Sequence, residues 1–201
     1  MQHMKQMFEG FIFDLDGTLV SSSLNFTALK ASINCPLDED ILAFMEQLTG
    51  PQRYQAEQII VAAELDDAQQ CTTLHGTLAL LDFLLLQQVP MAIVTRNSQL
   101  AAQCKIEQTQ LPIELVLTRS DGPAKPNPSC LTHISQTWGI APDKLAYIGD
   151  HLYDVQAANR AGMQSVLFTF GQTKPYEAQA AYCFTDPMHM LKSMPLLSLC
   201  V

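Results

Sequence analysis

Five short apolar runs punctuate the chain, and each stops at a small or polar residue. Phe11-Ile12-Phe13 runs into Asp14, Met91-Ala92-Ile93-Val94 into Thr95, and residues 113–117 into Thr118. Leu145-Ala146-Tyr147-Ile148 runs into Gly149-Asp150, and residues 164–168 into Thr169. Runs this short, rich in branched side chains and bounded by turn-forming residues, predict strands buried on both faces. Between them the pattern changes to helical stretches over 77–88, 98–108, 129–138 and 154–161. Gly139 and Gly162 fall where helix C-terminal caps are expected. Strand alternating with helix predicts an α/β fold, a parallel sheet covered on both faces.

One region breaks the rhythm. From about residue 24 to residue 72 no strand candidate occurs. Three helical stretches, 24–33, 38–48 and 51–68, are separated by Pro36 and by Gly50-Pro51, the latter proline suiting a first helical position. This predicts a small helical insertion between the first strand and the rest of the sheet. It carries eight acidic residues against two basic ones, Lys30 and Arg53, and the excess reads as a solvated face. The greasiest window, 78–94, is interrupted by Asp82, Gln87, Gln88 and Pro90. It predicts a buried helix followed by a buried strand, not a membrane span.

Composition narrows the function. At 201 residues and 48% apolar, the chain can bury one sizeable core with a smaller appendage. A formal net charge of −9 disfavours nucleic acid or anionic membrane as a partner, since both need a basic surface, but leaves room for a local cluster of donors for a small phosphorylated ligand. Six cysteines, Cys35, Cys71, Cys104, Cys130, Cys183 and Cys200, have no C-x-x-C spacing. They argue against a zinc or redox motif and for reduced thiols. The N-terminal segment 1–10 is polar, so no signal peptide is expected and the location is expected to be cytoplasmic.

The candidate chemistry sits at the strand ends. Asp14 and Asp16 follow the first strand, Thr95 the second, and Gly149-Asp150 with Asp154 the fourth. Lys125, in Ala124-Lys125-Pro126-Asn127-Pro128, precedes the helix that leads into the fourth strand. In a parallel sheet these positions converge on one edge, where open α/β sheets bind ligands. Carboxylates so crowded repel as anions unless a cation or a shared proton relieves them. Carboxylate oxygens with waters suit Mg²⁺, a carboxylate can act as a nucleophile, and a lysine and a hydroxyl can neutralise phosphoryl oxygens. A second acid can protonate a leaving alkoxide and later activate water. Together they point to phosphoryl transfer.

The motifs Phe13-Asp14-Leu15-Asp16-Gly17-Thr18-Leu19, Thr95, Lys125-Pro126 and Gly149-Asp150-x-x-x-Asp154 resemble the four motifs of the haloacid dehalogenase superfamily. The likeness spans roughly residues 9–170, and the helical insertion resembles the C1-type cap of phosphoglycolate phosphatase-like members. The resemblance implies a Rossmann-like three-layer sandwich with a parallel sheet of order 5-4-1-2-3. Residues 1–22 and 73–201 would form the core domain, and 23–72 a small helical cap. It implies Asp14 as nucleophile and Mg²⁺ ligand, and Asp16 as general acid/base whose backbone carbonyl also touches the metal. Thr95 and Lys125 would hold phosphoryl oxygens, and Asp150, supported by Asp154, would complete the metal site.

The implied activity is Mg²⁺-dependent hydrolysis of a small phosphomonoester, a phosphoglycolate or a sugar phosphate, through an aspartyl-phosphate. The expected partner is thus a small phosphorylated metabolite, with no nucleic acid or membrane, and the chain is expected to be a monomer or homodimer. Asp16 argues against haloalkanoate dehalogenation, which has no leaving alkoxide to protonate. Lys30 is a poor candidate for the imine-forming lysine of a phosphonatase. A receiver-type signalling domain would be shorter and lack the insertion. A phosphohexomutase and a non-catalytic binding protein of the same superfamily stay as alternatives.

Departures from the pattern carry expectations of their own. Ser21-Ser22-Ser23 stands where many relatives have aspartate and is expected to cap the next helix. In Thr95-Arg96-Asn97, Arg96 either contacts phosphate or substrate or points to solvent, and Asn97 joins the phosphate-binding candidates. His151 is expected as an exposed loop residue, and Trp138 and Phe83-Leu84-Leu85-Leu86 as core. The short, acidic insertion disfavours polyphosphates at the mouth. The tail residues Leu196, Leu197 and Leu199 would pack internally or on a partner.

Overall fold

The computed structural model describes residues 8–194. Six strands form one sheet: β1 (Gly10–Phe13), β2 (Met91–Val94), β3 (Leu115–Leu117), β4 (Leu145–Gly149), β5 (Gln164–Phe168) and β6 (Tyr182–Phe184). All pairings are parallel, in the order β3-β2-β1-β4-β5-β6. The expected order is therefore present and is extended at one edge by β6. That strand is three residues long with one buried side chain, too short to leave a period in the sequence.

The pleat sorts the core into two layers. Phe11, Phe13, Ile93, Ala146, Ile148 and Phe168 face one way, against α4 (Thr77–Leu86) and α8 (Pro187–Ser193). Ile12, Ala92, Val94, Leu145 and Tyr147 face the other, against α6 (Ser129–Trp138) and α7 (Leu152–Ala161). Gly139 and Gly162 close α6 and α7 as expected. Trp138 packs on the second layer. The 83–86 run is divided: Leu84 is buried, but Leu85 and Leu86 are 53% and 80% exposed. α4 therefore offers the sheet only one stripe, and the run is not core throughout.

Three helices fill the interval between β1 and α4: α1 (Phe26–Ser32), α2 (Ile41–Gln47) and α3 (Gly50–Ala68). They bury a cluster of their own, with Leu29, Ile33, Ile41, Met45 and Ile60 at its centre, separate from both sheet layers. The serines do not cap α1. Asn25 does, accepting from Ala28 N at 3.0 Å. Ser22 and Ser23 instead donate to Asp67 at the end of α3, each hydroxyl at 2.9 Å. The two chain crossings of the helical segment are thereby fastened to each other.

The acidic excess is not simply a solvated face. Asp40 pairs with Arg96, Glu57 and Glu64 with Arg119, and Asp67 with Lys105. Four of the eight acids thus meet cations outside the segment. No helix among the described residues is long and apolar enough to cross a membrane. Leu196, Leu197, Leu199 and Cys200 lie outside the described residues. The other five cysteines are free thiols.

Candidate active site

β1 ends at Asp14, whose backbone N–H still donates to Ile148 O at 2.8 Å, as though the strand continued. The chain then turns tightly: Leu19 N–H donates to Leu15 O at 2.9 Å and Gly17 N–H to Val20 O at 2.8 Å. Gly17 makes the turn at φ +71°, and a Cβ there would lie 2.9 Å from the Asp150 carboxylate. Gly149, at the end of β4, faces a harder limit. A Cβ would come within 2.4 Å of the Asp154 carboxylate, so only glycine lets that side chain fold back over the strand end.

Asp14, Asp150 and Asp154 present carboxylate oxygens that all lie within 4.8 Å of one another. Asp154 sits in the first turn of α7, where Oδ2 accepts from His151 N at 3.0 Å and caps the helix. Its Oδ1 accepts from Lys125 Nζ at 2.7 Å and from the Tyr147 hydroxyl at 3.2 Å. Capping and site are therefore one arrangement. His151 is exposed, as expected, and serves as the N-cap of α7. Lys174 holds Asp150 through its backbone carbonyl and, at 3.4 Å, through Oδ2, while the Tyr176 hydroxyl donates to the same carbonyl at 3.2 Å.

Lys125 reaches Asp14 Oδ1 at 2.6 Å as well. Burial pulls its pKa down, but Asp14 and Asp154 outweigh burial and hold the ammonium charged. Asp14 goes the other way. Burial, with Asp154 and Asp150 adding repulsion against the pull of Lys125, raises its pKa to about 8. Burial, then Asp154, raises Asp150 to about 6. Two ammonium groups, Lys125 and Lys174, do not neutralise three clustered carboxylates, and such an oxygen-only donor set fits a hard divalent cation such as Mg²⁺.

Asp16 stands apart. Its carboxylate is turned to Asn97 Nδ2 and Lys105 Nζ and does not join the other three. Thr95 Oγ1 accepts from Asn97 N at 3.2 Å and Asn97 Nδ2 at 3.0 Å, so its own hydrogen remains to be donated. Arg96 does not point freely to solvent, and it lines the cavity. It grips Asp40 with two bonds of 2.7 Å, donates to Lys125 O at 2.7 Å, and lies 4.8 Å over the Tyr153 ring. Asp40 is also the N-cap of α2, so one carboxylate both starts that helix and ties it to the strand end.

Asp14, Asp16, Thr95, Arg96, Asn97, Lys125, Asp150 and Asp154 line one cavity of about 550 Å³ between the sheet edge and the helical segment, the segment contributing Leu24, Leu29, Asp38, Glu39, Asp40 and Ile60 among others. The sequence reading missed Lys105, Asp40, Tyr147 and Lys174. Lys105 had a signal, because it shares the buried stripe of α5 (Gln99–Thr109) with Ala101, Ala102 and Thr109. Lys174 had none.

A family model of haloacid dehalogenase-like hydrolases matches residues 11–168, which spans all four strand-end motifs. The chain belongs to that family. A haloacid dehalogenase-like hydrolase domain-containing protein of Arabidopsis thaliana is 29% identical over 170 residues, covering 79% of this chain and 69% of the relative. Hexitol phosphatase A of Escherichia coli is 29% identical over 175 residues, covering 77% and 80%. A crystal structure of a hydrolase from Pseudomonas syringae superposes with a TM-score of 0.77 at 23% identity, covering 91% of this chain and 96% of that one. As a haloacid dehalogenase-like hydrolase, the chain keeps the motif order and the α/β core together.

Proposed function

We propose that this hydrolase is a Mg²⁺-dependent phosphatase of small phosphomonoesters, acting through a phosphoryl group carried on Asp14. The observation that supports it best is the gathering of Asp14, Asp150, Asp154, Lys125, Thr95 and Asp16 around one cavity. In this reading the Asp14 carboxylate attacks phosphorus in line with the ester oxygen. Lys125 and the Thr95 hydroxyl, with Asn97 behind it, hold the phosphoryl oxygens as charge redistributes. Asp16 protonates the departing alkoxide, then takes a proton from the water that cleaves the aspartyl-phosphate. Asp14, Asp150 and Asp154, with the Asp16 carbonyl, would hold Mg²⁺, which supplies further charge neutralisation at the transferring group. Residues 23–72 act as a cap that keeps bulk water from the reacting ester.

The same carboxylates make metal binding pH-dependent. A group raised to about 8 holds its proton at neutral pH, and a metal must displace that proton. Apparent Mg²⁺ affinity is therefore expected to climb between pH 6 and pH 8.5, with about one proton released per ion near pH 7. Calorimetry in two buffers of different ionisation enthalpy checks this; binding without proton release would contradict it.

The cap side of the cavity favours one substrate type. Asp38, Glu39 and Asp40 line it, Arg96 is engaged by Asp40, and the Lys30 ammonium donates to Leu37 O at 2.8 Å. With Asp40 and Arg96 paired to each other, a leaving group with a carboxylate meets Asp38 and Glu39 there against one lysine, whereas a neutral polyol meets acceptors for its hydroxyls. A hexitol phosphate is expected to surpass phosphoglycolate in kcat/KM by about tenfold or more, equivalent to about 1.4 kcal/mol. The reverse order would overturn this preference.

A further inference from the structure

Lys105 has no accessible surface, and the mechanism above makes no use of it. Its ammonium is shared between Asp16 Oδ1 and Asp67 Oδ2, the latter at 2.6 Å. Asp67 also accepts from Ser22 Oγ, Ser23 N and Ser23 Oγ, so it gathers both chain crossings of the cap at one point. The other oxygen of Asp16 accepts from Asn97 Nδ2, and Asn97 is itself buried. A buried ammonium is tolerated only when paired, and a tie between α5 and α3 alone needs no partner beyond Asp67. The second arm of Lys105 goes to the carboxylate that faces the cavity.

We propose that Lys105 is a positioning residue for Asp16. With Asn97 on the opposite oxygen, it fixes the plane of the carboxylate, which has about four acceptor sites. Two donors therefore leave each oxygen with a lone pair for the proton of the leaving group or of water. The inference rests on Asp16 being the acid/base of the phosphatase reaction, and the geometric part of the test below does not.

Lys105→Met keeps the unbranched stem of the side chain and removes the ammonium. It is expected to lower the first-turnover rate, at which the ester phosphorylates the protein, by about tenfold or more for an alkyl phosphate and by less than about threefold for p-nitrophenyl phosphate, with KM little changed. Asp67→Asn, which leaves the Lys105–Asp16 contact in place, is expected to stay within about threefold of wild type on both esters. If Lys105→Met does not fold, Lys105→Met/Asp67→Asn removes the uncompensated carboxylate too and is expected to show the same selective loss. Equal losses in the first turnover on both esters, or none, would overturn the proposal by leaving Lys105 a merely structural tie.

A crystal structure of either Lys105 variant reads the geometry directly. Asp16 is expected to leave its present orientation or to occupy two, and a carboxylate still seated as in the wild type would overturn the proposal. A wild-type protein that releases no phosphate from either ester would instead count against the phosphatase reading, and the crystal structure would then decide the role of Lys105 alone.

Discussion

Replacing Asp14 with Asn is expected to abolish phosphate release while making the metal-free protein more stable at neutral pH. The first half follows from chemistry, because an amide at this position is a poor nucleophile and a weak metal ligand. The second follows from electrostatics. Burial raises Asp14 from its ordinary value of 3.8 to about 8. Between those values the folded chain binds a proton that the unfolded chain does not. Its stability contribution is thus complete below the unfolded value and is lost as pH rises through the folded one. Asparagine carries no such charge, so Asp14→Asn should melt higher than wild type in EDTA, and the gap should widen from pH 5 to pH 8.

For a chain of this size each kcal/mol moves Tm by about 2–4 °C, and a gap of about 3 °C or more at pH 8 is expected. Lys125 keeps Asp154 as a partner in the variant, so no buried ammonium is left unpaired. Saturating Mg²⁺ should raise the wild-type Tm and leave the variant nearly unmoved. Thermal melts over this pH range check both statements. A variant that melts lower than wild type at pH 8 in EDTA would contradict the electrostatic account of the site.

Asp16→Asn is expected to separate substrates by their leaving groups. An alkoxide needs a proton as it departs, and a positioned acid contributes about 10²–10⁴-fold to such a step. A nitrophenolate leaves as a stable anion and needs little help. The variant should therefore lose about 10²-fold or more in kcat on an alkyl phosphate, and much less in the rate at which p-nitrophenyl phosphate first phosphorylates the protein. Rapid-mixing measurement of the first turnover isolates that step from the later hydrolysis, where Asp16 activates water. Equal losses in the first turnover on both esters would remove the acid from the account.

How much of this was legible in the sequence depends on whether a residue's partner is local. Asp14, Thr95, Asp150 and Asp154 announce themselves because each ends or follows an apolar run, and a parallel sheet brings such ends to one edge. The helices of the insertion were legible from their prolines and spacing. The docking of that insertion was not. Asp40 to Arg96, Glu64 to Arg119 and Asp67 to Lys105 span 56, 55 and 38 residues. An acid that caps a helix, faces water or seeks a distant cation looks the same in a local window.

The serines illustrate the same limit. Ser22 and Ser23 have the chemistry of a cap and the position of one, but Asn25 lies where α1 begins and the distant Asp67 takes them. Arg96 adjoins Thr95, so it looked like either a phosphate contact or a solvated side chain. Its pairing with a carboxylate delivered by the start of α2 depends on how the helical segment folds over the sheet edge.

The most direct test of the central claim is phosphate release by the purified protein from a panel of phosphomonoesters. It is measured with Mg²⁺, with EDTA, and with Asp14→Asn in parallel. Release that requires Mg²⁺ and vanishes in the variant is the predicted result. Release that persists in EDTA, or in Asp14→Asn, would contradict it.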